Sequence, residues 1–142
     1  FLTIDTLLRE AKGEVIGFGY EINDKDIVRS LHRCSRRNLQ VFLACDKERQ
    51  TGRTLFDGWP KDTLAPYIYE DFRDDTSAIY SKMHSKLLLT DREKLLLTSA
   101  NFTYHGMQGN IEFGVFLEGR LIGKIRDLLI TLLNSKAFVR MT

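Results

Sequence analysis

The chain has 142 residues, 43% of them hydrophobic, which suits one compact domain with a real core. Its 21 basic and 19 acidic residues nearly balance at +2, which excludes a strongly basic nucleic-acid tail but leaves room for a local basic patch. No apolar run approaches ~18 residues, which excludes a membrane-spanning helix, and the first residues lack a basic stretch followed by an apolar one, so they do not read as a signal peptide.

In chain order, Ile4, Leu7, Leu8 and Ala11 fall on one helical face, and Gly13 ends that helix. Val15 to Tyr20 reads as a short buried strand. Asn23-Asp24 opens a second helix with Ile27, Leu31 and Cys34 on one side, and Gln40 to Cys45 is a second strand. Helix, strand, helix, strand implies a parallel unit with right-handed crossovers. Residues 46–80 hold both prolines, two glycines and many charges. They read as an irregular excursion with a short helix near Arg53–Phe56 and a short strand at Tyr67–Tyr69. Met83 to Thr90 and Leu95 to Thr98 read as a hairpin turned by Asp91-Arg92-Glu93-Lys94, without the Asn-Gly of the tightest turns. Asn101 to Gly109 is a loop or short helix, and Glu112 to Leu117 a further strand. Leu121 to Leu133 is a helix with a broad buried face of Ile122, Ile125, Leu128, Leu129, Leu132 and Leu133. The expected fold is α/β, a mixed sheet between helix layers.

The two cysteines, Cys34 and Cys45, are too few for a secreted disulfide scaffold and read as reduced thiols in or near the core, which favours a cytosolic protein. The chain reads as one catalytic domain over residues 1–142, and the absent initiator Met marks it as the C-terminal part of something longer.

Chemistry concentrates in His84-Ser85-Lys86-Leu87-Leu88-Leu89-Thr90-Asp91, followed after six residues by Thr98-Ser99-Ala100-Asn101. A His two residues before a Lys in a strand puts both side chains on one face. If the two stretches pair, an imidazole, an ammonium, a hydroxyl and a carboxamide converge. That set suits a phosphodiester: Lys86 and Asn101 hold the non-bridging oxygens, and His84 attacks phosphorus. A metal site on His84, Asp91 and Glu112 fits less well, because the Lys86 ammonium repels a cation and no second His is spaced for ligation.

The pattern His-x-Lys-x4-Asp-x6-x-Ser-x-Asn resembles the signature of the phospholipase D superfamily. Five fixed residues, each at roughly one-in-twenty usage, recur by chance on the order of 10⁻⁷ per starting position, so the match is specific. The sharp likeness covers residues 81–117 and includes Phe102-Thr103 and Asn110-x-Glu112. It implies a phospholipase D-like fold with one motif per chain and no cofactor. It also implies His84 as a nucleophile forming a phosphohistidine, Lys86 and Asn101 as phosphate binders, and Ser99 as a further hydrogen bond near the phosphate. Asp91 is then structural, and Glu112 accepts from the His84 ring to fix its tautomer. The family usually has Gly where Thr98 stands, which touches pocket shape rather than chemistry.

The family mechanism needs two histidines. Of the three here only His84 lies in the motif, so the second must come from a two-fold partner, with the loops near the motif and around Asn110 at the interface. The stretches Tyr80 to Lys86 and Thr98 to Glu112 look similar to the phospholipase D-like component of bacterial DISARM phage-defence systems. That resemblance implies bacterial or archaeal cytosol and partner proteins. Arg29, Arg33, Arg36 and Arg37 lie near one helical face and, with His105, form a candidate nucleic-acid track. His32 reads as solvated, and Trp59 and Tyr67 as packing residues that could also stack bases. The function expected is a metal-independent nuclease acting on DNA. The alternatives are a nucleic-acid-binding or complex-assembly subunit with little turnover, and a phospholipid hydrolase.

Overall fold

The computed structural model describes residues 2–73 and 82–142. The DISARM-like stretch therefore begins, at Tyr80 and Ser81, outside the described residues. The elements run α1 (Leu2–Glu10), β1 (Glu14–Gly19), α2 (Lys25–Arg36), β2 (Gln40–Cys45), α3 (Thr51–Asp57) and β3 (Tyr67–Asp71). They continue with β4 (Leu87–Thr90), β5 (Lys94–Thr98), one π turn (His105–Gly109), β6 (Gly114–Glu118), α4 (Leu121–Leu133) and β7 (Phe138–Arg140).

The seven strands form one mixed sheet in the order β6-β5-β4-β1-β2-β3-β7. β1, β2 and β3 are parallel, as the alternating helices require. β4 runs antiparallel to β1, β5 to β4 and β6 to β5. β1 is wholly buried and sits at the centre, the place for a continuous apolar strand. The α2 start is set by Asp24, whose carboxylate accepts from Asp26 N and Ile27 N, both at 3.0 Å.

One sheet face packs Val15, Val41, Leu43, Leu88 and Leu96 against α1 and α2 side chains such as Leu8, Leu31 and Cys34. The other packs Ile16, Phe18, Leu87, Leu89 and Leu95 against Ile122, Leu129 and Leu133 of α4. Both cysteines are buried free thiols.

Three expectations need correction. Within residues 46–80 the expected short helix and short strand are both present but longer than drawn: α3 runs Thr51–Asp57, and β3 runs on to Asp71 as an inner strand between β2 and β7. Charges at Glu70 and Asp71 hid its last two residues, because Asp71 is buried through an ion pair with Arg73 rather than through apolarity. The strand drawn from Met83 begins only at Leu87, so His84 and Lys86 lie on the extended segment leading into it. The broad α4 face is only half buried: Leu128 is 67% and Leu132 41% exposed, because no element among the described residues packs over them.

Candidate active site

The β1 carboxyl end, the β4 start, the β5 end and the β6 start share one edge of the sheet, since Phe18 pairs with Leu87, Leu87 with Leu97, and Leu97 with Val115. Ligands of open α/β sheets gather beyond the carboxyl ends of the parallel strands, and all the motif residues but Asp91 collect here.

Thr98 N donates to Lys86 O at 3.1 Å, carrying the hairpin one bond past β4 and fixing Lys86 at its mouth. Lys86 is 9% exposed, while His84 is exposed. The Lys86 Nζ donates to His84 O at 2.9 Å and lies 3.0 Å from His84 Nδ1. Burial lowers the Lys86 pKa below the ordinary lysine value, opposed by the attraction of Glu112. An ammonium has no lone pair to offer, so at this contact Nδ1 is the acceptor and the neutral ring carries its proton on Nε2. Tyr20 lies against the imidazole, with ring centroids 5.3 Å apart, and its hydroxyl donates to Glu48 at 3.0 Å.

The segment before His84 is held from β2. Asp46, 1% exposed, accepts from Met83 N and Glu48 N, each at 2.9 Å. Sequence reasoning missed Asp46 and Tyr20. The available signal was position, since each directly follows a buried parallel strand at the end where ligands bind.

Ser99 Oγ donates to the Glu112 carboxylate and accepts from Phe113 N at 3.1 Å, while Ser99 N donates to Phe113 O at 2.9 Å. Here the expected role of Glu112 fails within one chain. The Ser99–Phe113 bonds pin the loop so that Glu112 faces Ser99 and Asn110 Nδ2, and the partner of the His84 Nδ1 is Lys86. Asn101 follows on a loop tied to the β1–α2 connection: Asn23 N and Asp24 N donate to Phe102 O, and Phe102 N to Glu21 O. Its carboxamide oxygen is buried with no hydrogen-bond partner among the described residues. Gly106 packs so closely that a Cβ there would lie 2.2 Å from Asn101 O.

Asp91 lies at the opposite end of β4. Its carboxylate accepts from Lys12 N, Gly13 N and Glu14 N at 2.8, 2.8 and 3.1 Å, tying the hairpin to the α1–β1 turn. Asp91 and Arg92 both have positive φ, at 54° and 63°, so the hairpin turns without Gly.

The four arginines do not act as one track. Arg37 donates to Leu8 O and Arg9 O of α1 and to Ala11 O just beyond it, and is structural. Arg29 pairs with Asp26 near the α2 start, beside the site. Arg36 is exposed at the far end of α2, about 10 Å from Arg29 at 1.5 Å per residue, with Arg33 between them. His105 is exposed on the π turn, edge-to-face with Tyr104. His32 is not solvated as expected: it packs edge-to-face on Trp59 with centroids 4.6 Å apart, and burial lowers its pKa. Trp59 is 6% exposed and Tyr67 stacks on Phe42, so neither offers a free face for bases.

The fold and the clustered motif residues are those of a phospholipase D-like domain, and the chain belongs to that phosphodiesterase family: residues 4–133 match the family described as "Cardiolipin synthase, PLD-like domain". It is 28% identical over 142 residues to DISARM protein DrmC of Bacillus paralicheniformis, matching 95% of this chain but 56% of that protein. The fold resembles NucT from Helicobacter pylori, with a TM-score of 0.79 and 17% identity over 99% of this chain and 89% of that one. It also resembles Nuc from Salmonella typhimurium, a phospholipase D family member, with a TM-score of 0.74, 17% identity and the same coverage.

Proposed function

We propose that the chain is a metal-independent phosphodiesterase that cleaves DNA in a site completed by a second copy of itself. The observation that carries this reading is the buried Lys86 ammonium held 3.0 Å from the Nδ1 of an exposed histidine ring. Lys86 and Asn101 bind the non-bridging oxygens. Nε2 of one His84 attacks phosphorus, forming a P–N bond, while the other ring's Nε2–H protonates the leaving oxygen. That second ring then takes a proton from water, whose oxygen displaces the histidine from phosphorus. The attacking ring is neutral with its proton on Nδ1, and the donor ring is imidazolium, protonated on both nitrogens, so that giving up the Nε2 proton leaves it neutral and able to take one from water; in either state Nδ1–H turns away from the Lys86 ammonium.

The dimer has its support in unpartnered apolar surface bordering the site. Ile111 is 91% and Phe113 81% exposed on either side of Glu112, and Val115 and Leu117 of β6 continue the patch. A closed two-fold pair covers such a surface with itself and brings two copies of one motif together. The DISARM relative supports a role in phage defence alongside other proteins, inside a bacterial or archaeal cell.

The test is turnover of bis(4-nitrophenyl) phosphate and of plasmid DNA in EDTA, with His84→Ala as control. Wild type should be active in chelator and carry an acid-labile phosphohistidine when trapped, and His84→Ala should lose turnover at least 10³-fold. DNA binding without turnover in either protein would make the chain a binding subunit instead, and liposome hydrolysis without DNA cleavage a lipid hydrolase.

A further inference from the structure

Next to the His84 surface lies a cavity of about 560 Å³ between α2, α3 and the β1–α2 loop, within the usual size range for a small-molecule site. His84 does not line it. The link is Tyr20: its ring touches His84, its hydroxyl holds Glu48, and the next residue along each chain segment, Glu21 and Arg49, lines the cavity. Those two are themselves paired at 3.8 Å, so the acidic group is offset. Ile22, Val28 and Leu55 supply apolar wall, and Lys25 and Arg29 add positive charge to that of Arg49. His32 closes one side against Trp59; its Nε2 and the indole Nε1 are buried without hydrogen-bond partners among the described residues. The loop that bears Asn101 is bonded to this same wall through Phe102 and Glu21.

Apolar wall, three cations among the lining residues and, on a loop bonded to the same wall, the Asn101 amide together fit one ligand class. We propose that the cavity takes the nucleotide adjoining the scissile phosphodiester, with its base between α2 and α3 and its own phosphate near Lys25, Arg29 and Arg49. The inference rests on the phosphodiesterase reading of His84 and adds where the substrate's next residue lies.

The experiment compares two substrates on the full chain. Bis(4-nitrophenyl) phosphate has no base and no second phosphate, so it reports on His84 alone. A short DNA oligonucleotide reports on both sites. Val28→Trp fills the cavity. Arg29→Glu reverses a charge on a side chain that is 61% exposed, which leaves the core untouched. Arg36→Glu, at the far end of the same helix, controls for bulk charge. Both cavity variants should keep aryl-ester turnover within twofold of wild type while kcat/KM for the oligonucleotide falls about tenfold, and Arg36→Glu should lower it no more than threefold. Equal loss on both substrates, or an Arg36→Glu loss matching that of Arg29→Glu, would overturn the cavity assignment. Wild type inactive on both substrates would overturn the reading it rests on, and the inference with it. Should Val28→Trp fail to fold, Arg29→Glu against Arg36→Glu decides alone.

Discussion

The two faces of this sheet are treated differently by the chain. Three helices seal one face, and its strand residues Val15, Val41 and Leu43 are at most 1% exposed. A single helix covers the other, and at the β6 edge that cover runs out: Leu97 and Val115 pair across β5 and β6 with 41% and 57% exposure. On α4 the exposed leucines Leu121, Leu128 and Leu132 fall at i, i+7 and i+11, a stripe beside the buried one. Apolar surface left open to this extent is the kind that a partner or a further segment covers. The lesson is that the sealed face should govern stability and the open face assembly, and through assembly the chemistry.

The largest effect should therefore come from an exposed residue. Phe113→Glu puts a charge into the open patch, and we expect a monomer whose turnover is about 10³-fold lower, because the second histidine is lost. The change itself should cost the folded monomer no more than about 0.5 kcal/mol, as for other surface changes, apart from the mass-action stabilisation that pairing gives wild type. Sedimentation velocity and turnover on the same samples check this; a monomer with full activity would break both the comparison and the shared-site reading. On the sealed face, Leu43→Ala should cost about 3 kcal/mol, roughly 150-fold in the folding equilibrium, by leaving a cavity at the sheet centre. Urea unfolding should show that loss with the folded dimer still paired. Leu128→Ala costing as much in the isolated chain would mean the two faces are not distinct.

Next in size is Gly106→Ala. The added methyl cannot fit beside the Asn101 backbone, so the loop must move. A displacement of about 1 Å at a positioning group lowers turnover by as much as ~100-fold. Dimer mass should be unaffected, which separates this loss from that of Phe113→Glu.

The sequence carried the site's ingredients further than their arrangement. Lys86, Ser99 and Asn101 could be placed near His84 because a hairpin joins two fixed stretches, and pairing of Leu87 with Leu97 brings them together. That Glu112 would face Ser99 could not be read, since it depends on backbone bonds between Ser99 and Phe113 in a loop with no periodic signal. The fold was legible where apolar residues repeat, in α1, β1, α2 and β2. It was hidden at the end of β3, where an ion pair buries Asp71, and at β7, which has three residues and so no period to detect. Burial was overestimated on α4 because an apolar stripe looks the same whether its own chain or another covers it. Arg37 shows the converse: a surface arginine indistinguishable in sequence from its neighbours, yet committed to the end of α1.

Asp91 gives the smallest expected effect and the sharpest separation of stability from chemistry. It belongs to the motif by spacing but lies across β4 from His84, and four strand residues span about 13 Å. Its work is on the sealed side, where it satisfies three backbone N–H groups at the end of α1 while its own φ is positive. Asp91→Ala removes the acceptors and leaves a residue less suited to that conformation, so about 2 kcal/mol should be lost, some 30-fold in the folding equilibrium. Asp91→Asn keeps an acceptor oxygen and tolerates the left-handed backbone, and should lose less. Turnover per folded molecule should match wild type in both, because nothing at the His84 end moves. Denaturant midpoints read beside active-site titration decide the point: full stability with lost turnover in Asp91→Ala would place this carboxylate in the chemistry and remove it from the frame that holds the hairpin to α1.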